Sequence, residues 1–199
     1  MANGMLARYA DASFDTLHEE ASPSLQKLVG FFRRLSKETL YKDSLSYYIY
    51  GDYRVGKTWI CHAILNFFKN DLKEPYVHFI DAPTLQGYFN TQARKDDSVL
   101  WVEYLGSVRI LVIDDFGQEY RGSKSGFVET KFENLLRYRF NNKKVTIICT
   151  NGSTSTIGDM YSLSLQNFIS NEYIIYHLEG KNMSSIIRDE KVDEIRKRN

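Results

Sequence analysis

Gly51-Asp52-Tyr53-Arg54-Val55-Gly56-Lys57-Thr58 follows a short β-rich run, Ser46–Tyr50. It precedes apolar residues at helical spacing: Trp59, Ile60, Ala63, Ile64, Phe67 and Phe68. The stretch matches G-x-x-x-x-G-K-[ST], and the flanking strand and helix are what that pattern needs. Such a loop wraps backbone N–H groups around phosphates, and its glycines permit the turn and the close approach. The helix that follows presents its positive end to the anion. Lys57 then reaches the outer phosphates and the Thr58 hydroxyl holds a divalent cation. The binding residues are therefore expected at Gly51 through Thr58, with Trp59 beside them. Arg54 stands where many such loops carry another glycine; its long cation either contacts phosphate or a neighbouring subunit or points to solvent, and solvent is the first expectation.

Four more β-rich runs follow: Tyr76–Ile80, Arg109–Ile113, Val145–Cys149 and Tyr173–Leu178. Helical patterns separate most of them. Asp81-Ala82-Pro83 reads as a helix entry, and Leu85–Leu105 as two short helices broken around Arg94–Asp97. Gly117–Gly126 reads as a polar loop. Val128, Phe132, Leu135, Leu136 and Phe140 mark a helix face. Alternation of this kind predicts an α/β fold, three layers deep, around a five-stranded, mainly parallel sheet. Ligands then bind at the carboxyl ends of the strands.

Arg109–Ile113 runs into Asp114-Asp115, a buried strand ending in two carboxylates. Beside a phosphate loop, Asp114 is expected to hold the cation and Asp115 to accept a proton from the attacking water. Glu119 lies nearby in a loop. Val145–Cys149 leads into Thr150-Asn151, where Asn151 either bonds the water or γ-phosphate or serves as a turn and cap residue. Arg139 falls on the apolar side of its helix and so needs a partner. Two readings stay open: a structural contact within the chain, or a phosphate-sensing arginine acting in cis or in trans. Arg137 points the other way.

The 199 residues suit one domain, with 43% hydrophobic and 26% charged residues. A net charge of +1 does not mark a nucleic-acid binder by itself, though a local basic stripe is compatible with it. Cys61 and Cys149, both in apolar runs, read as buried reduced thiols. His18, His62, His78 and His177 show no ligand spacing, so no metal beyond a nucleotide-bound Mg²⁺ is expected. With neither a secretory signal nor a run long enough to span a bilayer, the expectation is a cytoplasmic protein without a membrane partner.

The runs GDYRVGKTWICHAIL, RILVIDDFGQE, ENLLRYRFNNKKVTIICTNGS and IIYHLEGKN resemble the AAA+ core of the DnaC/DnaI/IstB group. These are replicative-helicase loaders and transposition helper ATPases. The likeness covers roughly Ser13 to Lys181 and gives a division into a 1–12 extension, a 13–180 core and a 181–199 tail or truncated lid. It implies ATP and Mg²⁺ as cofactors, single-stranded DNA and a replicative DNA helicase (or a transposase) as partners, and self-assembly. Lys57 and Thr58 match the Walker A residues, Asp114 and Asp115 Walker B, and Asn151 sensor 1. Arg139 matches a family arginine near the subunit boundary. Two family arginines are missing. Phe168 stands at the finger position and Ser184 at the other, with Arg188 the nearest substitute. An adaptor gated by nucleotide without hydrolysis is therefore a competing expectation. A small-molecule kinase would need an arginine-rich lid, which is not seen. For DNA, Arg94-Lys95 and Arg121–Lys124 are candidates, near Tyr88, Phe89 and Tyr120. Arg196-Lys197-Arg198 is offset by four acids and reads as a solvated helix face.

Overall fold

The computed structural model describes residues 4–91, 96–117 and 126–198. Arg94-Lys95, Glu119, Tyr120 and Arg121–Lys124 lie outside the described residues. The five β-rich runs are strands: β1 Ser46–Gly51, β2 Val77–Asp81, β3 Ile110–Phe116, β4 Val145–Thr150 and β5 Tyr173–Leu178. They bond in the order β2-β3-β4-β1-β5, and every pairing is parallel. The helices are α1 Pro23–Arg33, α2 Lys37–Asp43, α3 Lys57–Asn66, α4 Ala82–Thr91, α5 Asp96–Ser107, α6 Gly126–Asn141, α7 Thr154–Met160, α8 Leu163–Glu172 and α9 Met183–Arg198.

Strand residues alternate between two cores, as the two-residue period requires. Tyr47, Ile49, Val112, Ile147 and Cys149 pack with Leu25, Phe32, Ile60 and Ile64, from α1 and α3. Tyr48, Leu111, Ile113 and Ile148 pack with Leu85, Phe89, Phe132 and Ile169 on the other face. Because both faces are covered, Ile110–Ile113 is fully buried and reads as an unbroken apolar run. Each such side chain contributes about 1.5–3 kcal/mol by leaving water.

The helices not anticipated were α1, α2, α7 and α8. The signals of α1, α2 and α8 were local. Ser22, Ser36 and Ser162 each accept the backbone N–H three residues on, at 3.0–3.2 Å, and cap α1, α2 and α8. Pro23 occupies the first turn of α1. In the predicted helix entry, Asp81 accepts the Thr84 N–H at 2.8 Å and its hydroxyl at 2.9 Å. Among the described residues, no helix is long and apolar enough to cross a membrane.

Candidate functional site

The phosphate loop sits at the carboxyl end of β1 and feeds directly into α3. A Cβ on Gly51 would overlap the Leu178 carbonyl of β5, so only glycine fits there. Gly56 has φ +101° and turns the chain into the first helical residue, Lys57. Lys57 is 8% exposed. Its ammonium donates to the carbonyls of Gly51 at 2.9 Å and Asp52 at 2.5 Å, lying back across the loop. Burial lowers its pKa, and Cys149, Asp114 and Asp115 oppose that shift. Arg54 adopts φ +65°, the conformation glycine takes more easily, and its side chain is exposed. Tyr53 is 69% exposed and Val55 is buried against the core. Trp59 packs at the core margin.

The strand with the acidic pair extends three residues further than its apolar run, to Phe116. Ile113 pairs with Ile148 and Phe116 with Thr150, so Asp114 and Asp115 together oppose Cys149 alone. This is a β-bulge, a device that re-aims side chains next to functional sites. Asp115 takes φ +53° and its side chain is exposed. Asp114 stays 3% exposed and accepts a hydrogen bond from the Thr58 hydroxyl. Burial raises its pKa to about 6, Asp115 adds to the rise, and the Thr58 bond and Lys57 oppose it. A buried carboxylate bonded to the Thr58 hydroxyl, facing a cradle that already holds an ammonium, fits a triphosphate with its Mg²⁺. Thr58 and Asp114 would hold the cation, and Lys57 with the loop N–H groups the phosphates.

The strand order places β4 between β1 and β3. Asn151, at the tip of β4, therefore lies between the phosphate loop and the acidic bulge. It is half-buried. Its neighbour Thr150 fixes the tip, donating to the Phe116 carbonyl at 2.5 Å and accepting from the Gly152 N–H at 3.1 Å. The Tyr48 hydroxyl bonds the Gly152 carbonyl at 2.8 Å.

Arg139 corrects the catalytic expectation. It is fully buried, at the opposite end of the sheet from the phosphate loop. Its guanidinium donates to the carbonyls of Leu105, Val108 and Val145 at 2.6–2.9 Å and to the Thr146 hydroxyl at 2.9 Å. These groups border the starts of β3 and β4, whereas Asp114 and Asn151 stand at the far ends. The helical spacing put Arg139 on the right face but could not say which end of the sheet that face meets. Burial pushes its pKa down to about 9, well above neutrality, so the group stays charged. Phe168 is buried against Phe140 and Tyr173, with the Arg137 guanidinium 4.5 Å above its ring. Arg188 pairs with Asp189 at 2.9 Å.

Two groups at the site carried no sequence signal. His62 donates from Nδ1 to the Thr58 carbonyl at 2.8 Å and accepts the Leu6 N–H at Nε2, 3.1 Å, tying the first turn of α3 to the N-terminal segment. The tail also closes on the loop. The Met183 N–H donates to the Arg54 carbonyl at 2.9 Å, Lys181 pairs with Glu20 at 3.1 Å and His18 with Glu190 at 2.9 Å.

Residues 13–169 match the model of the bacterial DnaA ATPase domain. The chain belongs to that family. Among solved structures, it is similar to the DnaC helicase loader: 22% identity, 87% of this chain and 100% of that one covered, TM-score 0.74. DnaI matches at 19% identity, over 88% of this chain and 95% of that one, with TM-score 0.73. AMPPCP-bound DnaA from Aquifex aeolicus matches at 18%, over 92% of this chain and 55% of that one, with TM-score 0.70. At these identities the likeness establishes the fold, which is the AAA+ P-loop fold with its five-stranded parallel sheet. The curated proteins give no match.

Proposed function

We propose that this protein is a DNA-replication ATPase acting as a helicase loader, with ATP·Mg controlling its binding to single-stranded DNA and to a replicative helicase. The observation that carries the nucleotide reading is the arrangement of three strand tips. The phosphate loop, Asn151 and the bulged Asp114-Asp115 pair end neighbouring strands β1, β4 and β3. ATP·Mg supplies the scissile phosphate bond and neutralises its charge. Lys57 and the loop N–H groups hold the phosphates, Thr58 and Asp114 the cation. Asp115, turned outward by the bulge, takes the proton from water, and Asn151 orients that water. DNA and helicase as partners are supported by family membership and by the likeness to loaders; one similar structure is a replication initiator DnaA bound to AMPPCP and single-stranded DNA.

A second reading is favoured by the arginines. Arg139 is committed to the sheet's far end, Arg188 is paired with Asp189, and Phe168 is packed in the core. An adaptor that binds ATP but waits for a partner's arginine fits those facts. The test is ATP binding and turnover by the purified protein, with and without single-stranded DNA. DNA-stimulated turnover supports the loader. Tight binding without turnover selects the adaptor, and absence of ATP binding refutes both.

A further inference from the structure

Cys61 and Cys149 are the only two cysteines in the sequence, and the fold brings them together under the phosphate loop. Cys61 lies one turn into α3, on the Lys57 side of that helix. Cys149 lies on β4, directly opposite the Asp114-Asp115 bulge. Both are fully buried and Asp114 is 3% exposed. The two Sγ atoms and a carboxylate oxygen of Asp114 all lie within 4.8 Å of one another.

We propose that Cys61, Cys149 and Asp114 form a binding site for a thiophilic divalent ion of the Zn²⁺ class. Tetrahedral zinc, with bonds of about 2.3 Å to sulfur and 2.0–2.2 Å to oxygen, sets its ligand atoms roughly 3.5–4 Å apart. From separations of at most 4.8 Å, the three ligand atoms must approach one another by at most about 1 Å to reach that spacing, and water completes the fourth position. Charge also balances. Two thiolates and a carboxylate carry three negative charges, offset by the ion and the Lys57 ammonium that faces them. The two S–H protons pass to solvent as the thiolates bond the ion. Mg²⁺ is excluded from the sulfur side, because it demands oxygen ligands and keeps its waters.

The site stands without nucleotide. Its consequence rests on the reading of Asp114 as the Mg²⁺ ligand: a soft ion that takes the carboxylate prevents Mg²⁺ from using it, so Zn²⁺ inhibits turnover.

The experiment is a titration of the whole metal-free protein with Cd²⁺, without nucleotide, following the ultraviolet thiolate-to-cadmium absorption. Zn²⁺ affinity is measured in parallel by competition with a chromophoric chelator. One equivalent of Cd²⁺ is expected to saturate the band. Cys61→Ala and Cys149→Ala, checked by circular dichroism, are each expected to lose the two-thiolate band and at least about a hundredfold in Zn²⁺ affinity. Asp114→Asn keeps both thiols and is expected to lose at least about tenfold. No band in the folded wild type, or a band unchanged in either alanine variant, overturns the site. Zn²⁺ affinity unchanged in Asp114→Asn overturns it as well. Since no nucleotide is present, these results are independent of whether ATP binds.

Discussion

Among the described residues Arg139 has the largest of the fully buried side chains, and its hydrogen-bond partners there are carbonyls and a hydroxyl, with no carboxylate. Four carbonyls and a hydroxyl hold it at 2.6–3.4 Å. Removing the guanidinium leaves those acceptors buried and unpaired, which is costly in a low-dielectric interior. Arg139→Met is expected to lose about 3–5 kcal/mol in urea unfolding, while the folded fraction keeps its ATP affinity. A loss of ATP binding with stability intact would restore the catalytic reading. Asp114 makes the opposite case. Its carboxyl titrates near pH 6, raised by burial from the ordinary 3.8. The folded free protein therefore binds the proton more tightly than the unfolded chain. That contribution to stability is complete below pH 3.8 and is lost as pH rises through 6. Cation binding needs the ionised form, so Mg·ATP affinity is expected to fall as pH drops from 7 to 5. Asp114→Asn should flatten that profile and raise the stability of the free protein near pH 7.5 by about 1–2 kcal/mol. An unchanged pH profile in the variant would assign the dependence to another group.

At the scale of elements, the bulge in β3 and the loop after β1 each hold a non-glycine residue at positive φ. Asp115 is at +53° and Arg54 at +65°. Each costs about 1–2 kcal/mol relative to an extended or helical backbone. Asparagine tolerates this conformation at least as well as aspartate. Asp115→Asn should therefore fold and bind ATP as the wild type does, and lose turnover at least a hundredfold. Undiminished hydrolysis would move the base elsewhere. Arg54→Gly should relieve backbone strain and raise unfolding stability by about 0.5–1 kcal/mol, less the extra freedom glycine gives the unfolded chain. A destabilised variant would show instead that the Arg54 side chain has a holding role that the free protein hides.

For the whole molecule, the nucleotide site is assembled from distant parts. The loop after β1, the bulge in β3, the tip of β4 and the start of the tail meet only in the folded chain. A ligand that binds this assembly and not the unfolded chain stabilises it by mass action, about 2.7 kcal/mol at a hundredfold excess over Kd. ATP with Mg²⁺ should raise the melting temperature accordingly. Lys57→Ala should abolish the rise, since it removes the charge that lies across the cradle. The exposed ion pairs that hold the tail, Lys181–Glu20 and His18–Glu190, contribute little each.

The local chemistry of the five strands, the phosphate loop and the acidic strand end was legible in the sequence, whereas α1, α2, α7 and α8 were not anticipated. The glycine spacing at Gly51 and Gly56, the run Arg109–Ile113 ending in two acids, and the five β-rich segments are patterns of covalent neighbours, and short-range sterics and burial dictate them. The capping serines of α1, α2 and α8 were equally local, though masked by polar flanks. Tertiary structure alone decided four matters. It set which end of the sheet receives Arg139, and it set the two-against-one pairing that turns Asp115 out while keeping Asp114 in. It brought the Leu6 N–H to His62 Nε2, 56 residues away in the chain. It also gave the meeting of Cys61 with Cys149, 88 residues apart in the chain. The physical reason is common to all four. Each depends on strand order and register or on the packing of segments distant in the chain, and no window of neighbouring residues contains that information.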